Sequence, residues 1–176
     1  RALLDKQMLD LEAQLDDELS DLEGKPDSHL KEVSIALIYP HLRAGTLPVS
    51  ARVRSFFPTA YESSRVRFAL VDGKTRQRIP AWVMREQRYV FGLGDWYKSN
   101  GLIPGSLVRI RRGDTPGEVV IEARTYRATK DWMRTAIVGA DGGIVFAMLK
   151  QAVSAEFNDR MAFAIPSFDA VDQLWK

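Results

Sequence analysis

The sequence contains no cysteine. A disulfide framework, a thiolate metal site and a thiol nucleophile are therefore excluded, and a reducing compartment is the expected setting. Histidine is almost as scarce: His29 and His41 are the only two. Their spacing fits no zinc motif and neither lies in a glycine-rich strand-to-helix turn, so histidine-based metal hydrolysis is not expected. No stretch approaches the ~18 uninterrupted apolar residues of a membrane-spanning helix, and no membrane partner is expected. Internal repeats and low-complexity tracts are also lacking. The chain opens on Arg1-Ala2-Leu3 without methionine or a signal-peptide pattern, and is read as a fragment of a longer protein.

What is present is globular in character. The 176 residues are 45% hydrophobic and 27% charged, enough for one ordinary domain or a compact domain with helical appendages. The net charge of +2 conceals a regional contrast. Residues 1–27 hold three basic and nine acidic side chains, whereas residues 43–134 hold eighteen basic and eight acidic. Fifteen of those eighteen cations are arginine, whose planar fork suits bidentate contact to phosphate or to a guanine edge. A polyanion partner is the first expectation. The blander alternative is that strand arginines merely solvate an exposed face.

Periodicity divides the chain further. Leu4, Met8, Leu11, Leu15, Leu19 and Leu22 recur at threes and fours among acidic residues, which predicts an amphipathic helix from Leu3 to Leu22. Such a stripe suits self-association or a partner protein. Gly24-Lys25-Pro26-Asp27-Ser28 predicts a boundary, and residues His29 to Tyr39 read as a second helix ended by Pro40. Beyond Gly45 the texture is β. Arg65 to Val71 and Arg78 to Val83 flank an Asp72-Gly73 turn as a hairpin, and Arg88 to Phe91 continues as a strand. A short helical piece surrounds Trp96-Tyr97-Lys98, and Ser106–Arg111 and Glu118–Ala123 alternate across a second turn. After a Gly142-Gly143 turn, Val145 to Phe157 reads as an amphipathic helix and Phe168 to Trp175 as a last one.

The expected fold class is α+β with a mainly β centre: a small open pseudobarrel of about six to seven short, largely antiparallel strands, flanked by N- and C-terminal helices. The expected organisation is an acidic helix over 1–27, a barrel with a leading helix over 28–134, and a helical satellite or cap over 135–176.

No catalytic constellation emerges. Phe91-Gly92-Leu93-Gly94 begins like a phosphate loop, but no Gly-Lys-Ser/Thr follows, and a strand-end turn is the expected structure. Asp114 with Glu122-Ala123-Arg124 mimics a nuclease acid-x-base pattern, yet an arginine stands where a lysine should be and scarcely loses a proton. No serine has a nucleophile setting. The chain is expected not to be an enzyme, and no cofactor or metal is expected.

Three segments resemble the B3-type DNA-binding pseudobarrel of plant transcription factors and some bacterial restriction-enzyme effector domains. Gly45-Thr46-Leu47-Pro48-Val49-Ser50-Ala51, running to Phe56-Phe57-Pro58, resembles the family's Leu/Val-Pro strand and short helix with an aromatic-proline end. The Trp-led stretch Trp82 to Phe91 is similar to its strand, basic loop and Tyr-Val strand. Gly94-Asp95-Trp96-Tyr97 and Asn100 to Val108 look like its closing segment. The resemblance spans roughly residues 30 to 125. It departs at Asp95, inserted in the Gly-Trp pair, at Ser106 in place of aspartate, at Ser50 in place of a basic residue, and where helix rather than strand is read before Gly45.

The resemblance implies double-stranded DNA held in the major groove between two loop arms. It places the second arm at Arg85, Gln87 and Arg88, which also sit at a predicted hairpin tip, where arginine pairs with guanine and glutamine with adenine. His41 and Arg43 are the first-arm candidates. Arg52, Arg54, Arg65, Arg67, Lys74, Arg76 and Arg78 are candidate phosphate contacts, which orient without reading sequence. Arg109, Arg111 and Arg112 are as well explained as a solvated edge. Trp82 and Trp96 are implied to be core aromatics, and a single-strand or RNA binder ranks third because aromatics do not interleave with the basic positions. The expected role is a transcription-regulating or DNA-recognition module, cytoplasmic, nucleoid-associated in a bacterium or nuclear in a eukaryote. The alternative is a structural or protein-interaction module assembling through residues 3–22 without binding nucleic acid.

Overall fold

The structure, a computed structural model, describes residues 30–59 and 62–175. The acidic helix expected over Leu3–Leu22, its proposed partner contacts and the Gly24–Ser28 boundary lie outside them. The described chain is mainly β with few short helices. Seven strands, β1 (Glu32–Ala36), β2 (Thr46–Pro48), β3 (Arg65–Asp72), β4 (Arg78–Met84), β5 (Tyr89–Phe91), β6 (Leu107–Arg112) and β7 (Val119–Ala123), form one sheet in the order β1-β6-β7-β3-β4-β5-β2. The sheet curls into a half-barrel, the open pseudobarrel expected from the short alternating runs. The described residues divide into two compact units: those up to Ile35 and those within Gly45–Leu93 and Arg109–Glu122 form one, and Ala36–Ala44, Gly94–Val108 and those from Ala123 onward the other.

In the first unit, alternation along β3 and β4 sorts side chains to two faces. Antiparallel register pairs Val66 with Val83 and Val83 with Val90, while Leu47 of β2 pairs with Val90. Leu47, Val83 and Val90 are buried, as are Leu70, Ile110, Val119, Val120 and Ile121. Each such aliphatic side chain contributes about 2 kcal/mol of burial. The opposite parity carries Arg65 and Arg67 on β3, Trp82 and Met84 on β4, and Tyr89 and Phe91 on β5. β3 also pairs with β7 in parallel, Leu70 against Val119. Residues Glu32–Ala36, read as part of a helix, are a strand. Val33 and Ile35 are buried while Glu32 and Ser34 are exposed, a period-2 pattern hidden beneath a run that is also compatible with a helix.

In the second unit, α1 (Tyr39–Ala44) and α2 (Gly94–Ser99) are short helices, and α3 (Phe168–Asp172) continues into a 3-10 turn, Gln173–Trp175, matching the expected last helix. The unit also holds β8 (Thr125–Val138) and β9 (Ile144–Ala155), a long antiparallel hairpin. β9 corrects the expected helix over Val145–Phe157. Ala147, Met148, Leu149, Lys150 and Gln151 favour helix individually, but pairing across the 139–143 loop fixes an extended chain. One hairpin face buries Met133 and Val153 with Ala162 and Ala164. The other leaves Trp132, Phe146 and Met148 exposed at 64%, 57% and 58%. Ser106 is fully buried, and its Oγ accepts a hydrogen bond from the Ile103 N–H at 2.9 Å. Gly105 adopts φ +91°, and a Cβ there would lie 2.5 Å from the Ala162 nitrogen, so glycine is required.

Candidate nucleic-acid interface

The hairpin tip expected to carry the second arm is a four-residue loop, Arg85 to Arg88, between Met84 and its partner Tyr89. Backbone contacts fix it. The Arg85 N–H donates to the Ser64 carbonyl at 3.0 Å, the Arg88 N–H to the Arg85 carbonyl at 3.3 Å, and the Val49 N–H to the Arg88 carbonyl at 2.8 Å. Arg88 sits in the left-handed region at φ 56°, where a non-glycine residue costs about 1–2 kcal/mol. Arg85 and Arg88 are half-buried, whereas Glu86 and Gln87 are exposed.

Arg54 approaches the same region from a 3-10 helix, Arg54–Phe56. The Arg54 N–H bonds the Ser50 carbonyl at 2.9 Å, and the buried Phe56 and Phe57 anchor the turn, Phe57 edge-on to Phe68 at 5.9 Å. Arg112 lies over the Phe56 ring at 5.6 Å. Arg54, Arg85 and Arg88 thereby line one concavity of about 1020 Å³, which they share with Glu62 and Glu86. Ser55 also lines it, and its buried Oγ has no hydrogen-bond partner among the described residues. Sequence reasoning overlooked the two glutamates and the serine. Glu86 was discernible, because it stands inside the tip between the two predicted arginines. The lining offers both donors and acceptors, so it can match base edges as well as phosphates.

The remaining candidates are dispersed. Arg52 is exposed next to the 3-10 helix, and Lys74 is exposed in the β3–β4 turn, where the Asp72 carboxylate accepts the Lys74 N–H at 2.7 Å. Arg76 and Arg78 face Asp114 and Glu118, each at 3.4 Å. These are exposed pairs of small energetic weight. Arg43, in the second unit, pairs with Asp172, which also accepts from the Tyr39 hydroxyl at 3.1 Å. Burial lowers the pKa of His41 on the same helix.

Arg65 and Arg67 instead belong to the outer sheet face. Arg67 lies over the Trp82 ring at 5.9 Å. Trp96 is buried as expected. Trp82 is a correction: it is half-buried and faces away from the Val66-Val83-Val90 layer. The nuclease-like residues do not form a cluster. Asp114 pairs with Arg76, and Arg124 with Glu156 at 3.4 Å. Among the described residues no group of three or more histidine, aspartate or glutamate side chains could hold a metal ion, and no helix is long and apolar enough to cross a membrane. Gly92, from the phosphate-loop-like run, ends β5 at φ +115°, and the N–H of Leu93 donates to the Gly45 carbonyl at 2.9 Å.

No protein-family model matches the chain, and no curated protein matches it significantly.

Proposed function

We propose that this protein binds double-stranded DNA, with the Arg85–Arg88 loop entering the major groove, as a recognition or transcription-regulating module without catalysis. The observation that carries this reading is the convergence of Arg54, Arg85 and Arg88 on one concavity from two separate segments. Arg85, Gln87 and Arg88 address base edges, with Glu86 available to a cytosine amino group, while Arg54 and the neighbouring Arg52 address phosphates. The resemblance of three segments to the B3-type pseudobarrel supports the docking mode. Arg43, Arg76 and Arg78 are assigned lesser weight because they do not line that concavity.

The test is fluorescence anisotropy on duplexes enriched from a random pool. Log affinity against log salt should slope at about −0.9 per neutralised phosphate. Replacing Arg85 and Arg88 by glutamate should abolish binding with the fold intact. Undiminished affinity, or no enrichment from the pool, refutes the reading. One observation favours a second reading, a protein-interaction module: the exposed Trp132, Phe146 and Met148 share a hairpin face, and contiguous exposed apolar surface marks association. Sedimentation of the chain and of a Trp132→Ser, Phe146→Ser variant separates that alternative, since loss of an oligomer without nucleic-acid affinity in either form supports it.

A further inference from the structure

The outer face of β3, β4 and β5 carries a second arrangement, separate from the loop arm. Register sets Arg65 opposite Met84 and Met84 opposite Tyr89. In the next row Arg67 faces Trp82, and Trp82 faces Phe91. Two cations on β3 thus border the aromatic rings of β4 and β5, an adjacency that spacing along the sequence does not display. Arg65, Trp82, Met84, Tyr89 and Phe91 line a groove of about 320 Å³. That volume is at the lower end of small-ligand sites, the scale of one planar group at a time.

Three features identify the occupant. First, the aromatic surface is accessible: Phe91 is 49% exposed, and its ring centroid stands 6.3 Å from that of Trp82 at a tilt of 48°. Second, charge is of one sign. Among the described residues no acidic side chain lines the groove, unlike the concavity at the loop arm, and neither Arg65 nor Arg67 makes an ion pair. Third, Tyr89 and Phe91 are two residues apart on one strand, so the Cα atoms that carry their rings are offset by about 6.6 Å. That is roughly twice the 3.4 Å rise between stacked bases in a duplex strand. Stacked bases do not fit such platforms, whereas splayed, unpaired bases do.

We infer that this face is a single-strand site, where unpaired bases stack on Phe91, Trp82 and Tyr89 while Arg65 and Arg67 hold the adjoining phosphates. A sequence-tolerant affinity follows, because every base has a π-face. The site does not depend on the duplex reading.

The test is titration of the whole chain with a labelled oligothymidine, followed by anisotropy and by tryptophan fluorescence in a Trp132→Phe, Trp175→Phe background, which leaves Trp82 and the buried Trp96 as the remaining indoles. Binding should quench Trp82. Phe91→Ala should weaken it about tenfold, and Arg65→Gln with Arg67→Gln, both exposed changes compatible with the fold, should weaken it and flatten its salt dependence. Arg85→Glu with Arg88→Glu should leave the quench in place, so failure of the duplex reading does not touch this one. Absence of quenching, wild-type affinity in both the Phe91 and the arginine variants, or loss of the signal on Trp132→Phe alone overturns the inference.

Discussion

Arg88 offers a perturbation in which backbone and side chain can be separated. Its φ of 56° places an L-residue in the left-handed region at the tip of the β4–β5 loop. Replacing it with alanine removes the guanidinium but keeps the Cβ, and replacing it with glycine removes both. The left-handed conformation costs a residue with a Cβ about 1–2 kcal/mol. Glycine forfeits roughly 0.5–1 kcal/mol more chain entropy than alanine on folding. The balance favours Arg88→Gly over Arg88→Ala by about 0.5–1 kcal/mol. At this chain length that is a difference of roughly 2 °C in Tm, resolvable by paired thermal and urea melts. Because both variants lack the arginine, whatever that side chain contributes cancels in the comparison. Under the duplex reading both should lose DNA affinity to the same extent in anisotropy. An alanine variant as stable as the glycine variant would refute the assigned backbone conformation. An alanine variant that retains duplex affinity would refute the role of the guanidinium.

Two further outcomes follow from the packing. Gly105→Ala should cost roughly 2 kcal/mol or more in a urea titration, because φ is +91° and the new Cβ meets backbone at Ala162. Gly117→Ala, with φ +80° and nothing within 4 Å, should cost only the left-handed penalty of about 1 kcal/mol. Burial lowers the pKa of His41 below its ordinary 6.5. The unfolded chain therefore takes up its proton first, and stability should fall as pH drops below 6.5 toward the folded-state value. His41→Gln should flatten the melting temperature across that window, and an unchanged pH slope would contradict the assignment.

Strands whose alternation is sharp are legible in the sequence. Arg65-Val66-Arg67-Phe68 and Val108-Arg109-Ile110-Arg111 each place apolar residues on one side only, so β3 and β6 follow from the alternation, as do the turns that end them. β1 alternates too but sits in an apolar run that also suits a helix, and β9 is not legible for the opposite reason. In β9, Ile144, Val145, Phe146, Met148 and Leu149 crowd both faces, which erases the period-2 signal, while alanine, methionine and leucine weight local propensity toward helix. The hydrogen bonds of β8, made across the 139–143 loop, decide the matter. At the candidate site, Arg85, Gln87 and Arg88 were visible as a tip because a tip needs only two neighbouring strands. Convergence with Arg54 was not, since it depends on Phe56 and Phe57 seating a separate turn. The outer aromatic face depends on three-strand register, and alternation within one strand leaves register undetermined.

The parallel ladder between β3 and β7 also governs how the protein is made. Leu70 meets Val119 only after the chain that forms β4, β5 and β6 has been synthesised, and contacts closed over so long a loop form late. Until then a nascent chain carries the β3–β4–β5 meander with the Leu70–Asp72 edge uncovered. Ribosomal stalling or premature termination before Val119 would release a polypeptide with an open, hydrophobic strand margin, the kind of surface that chaperones retain and aggregates recruit.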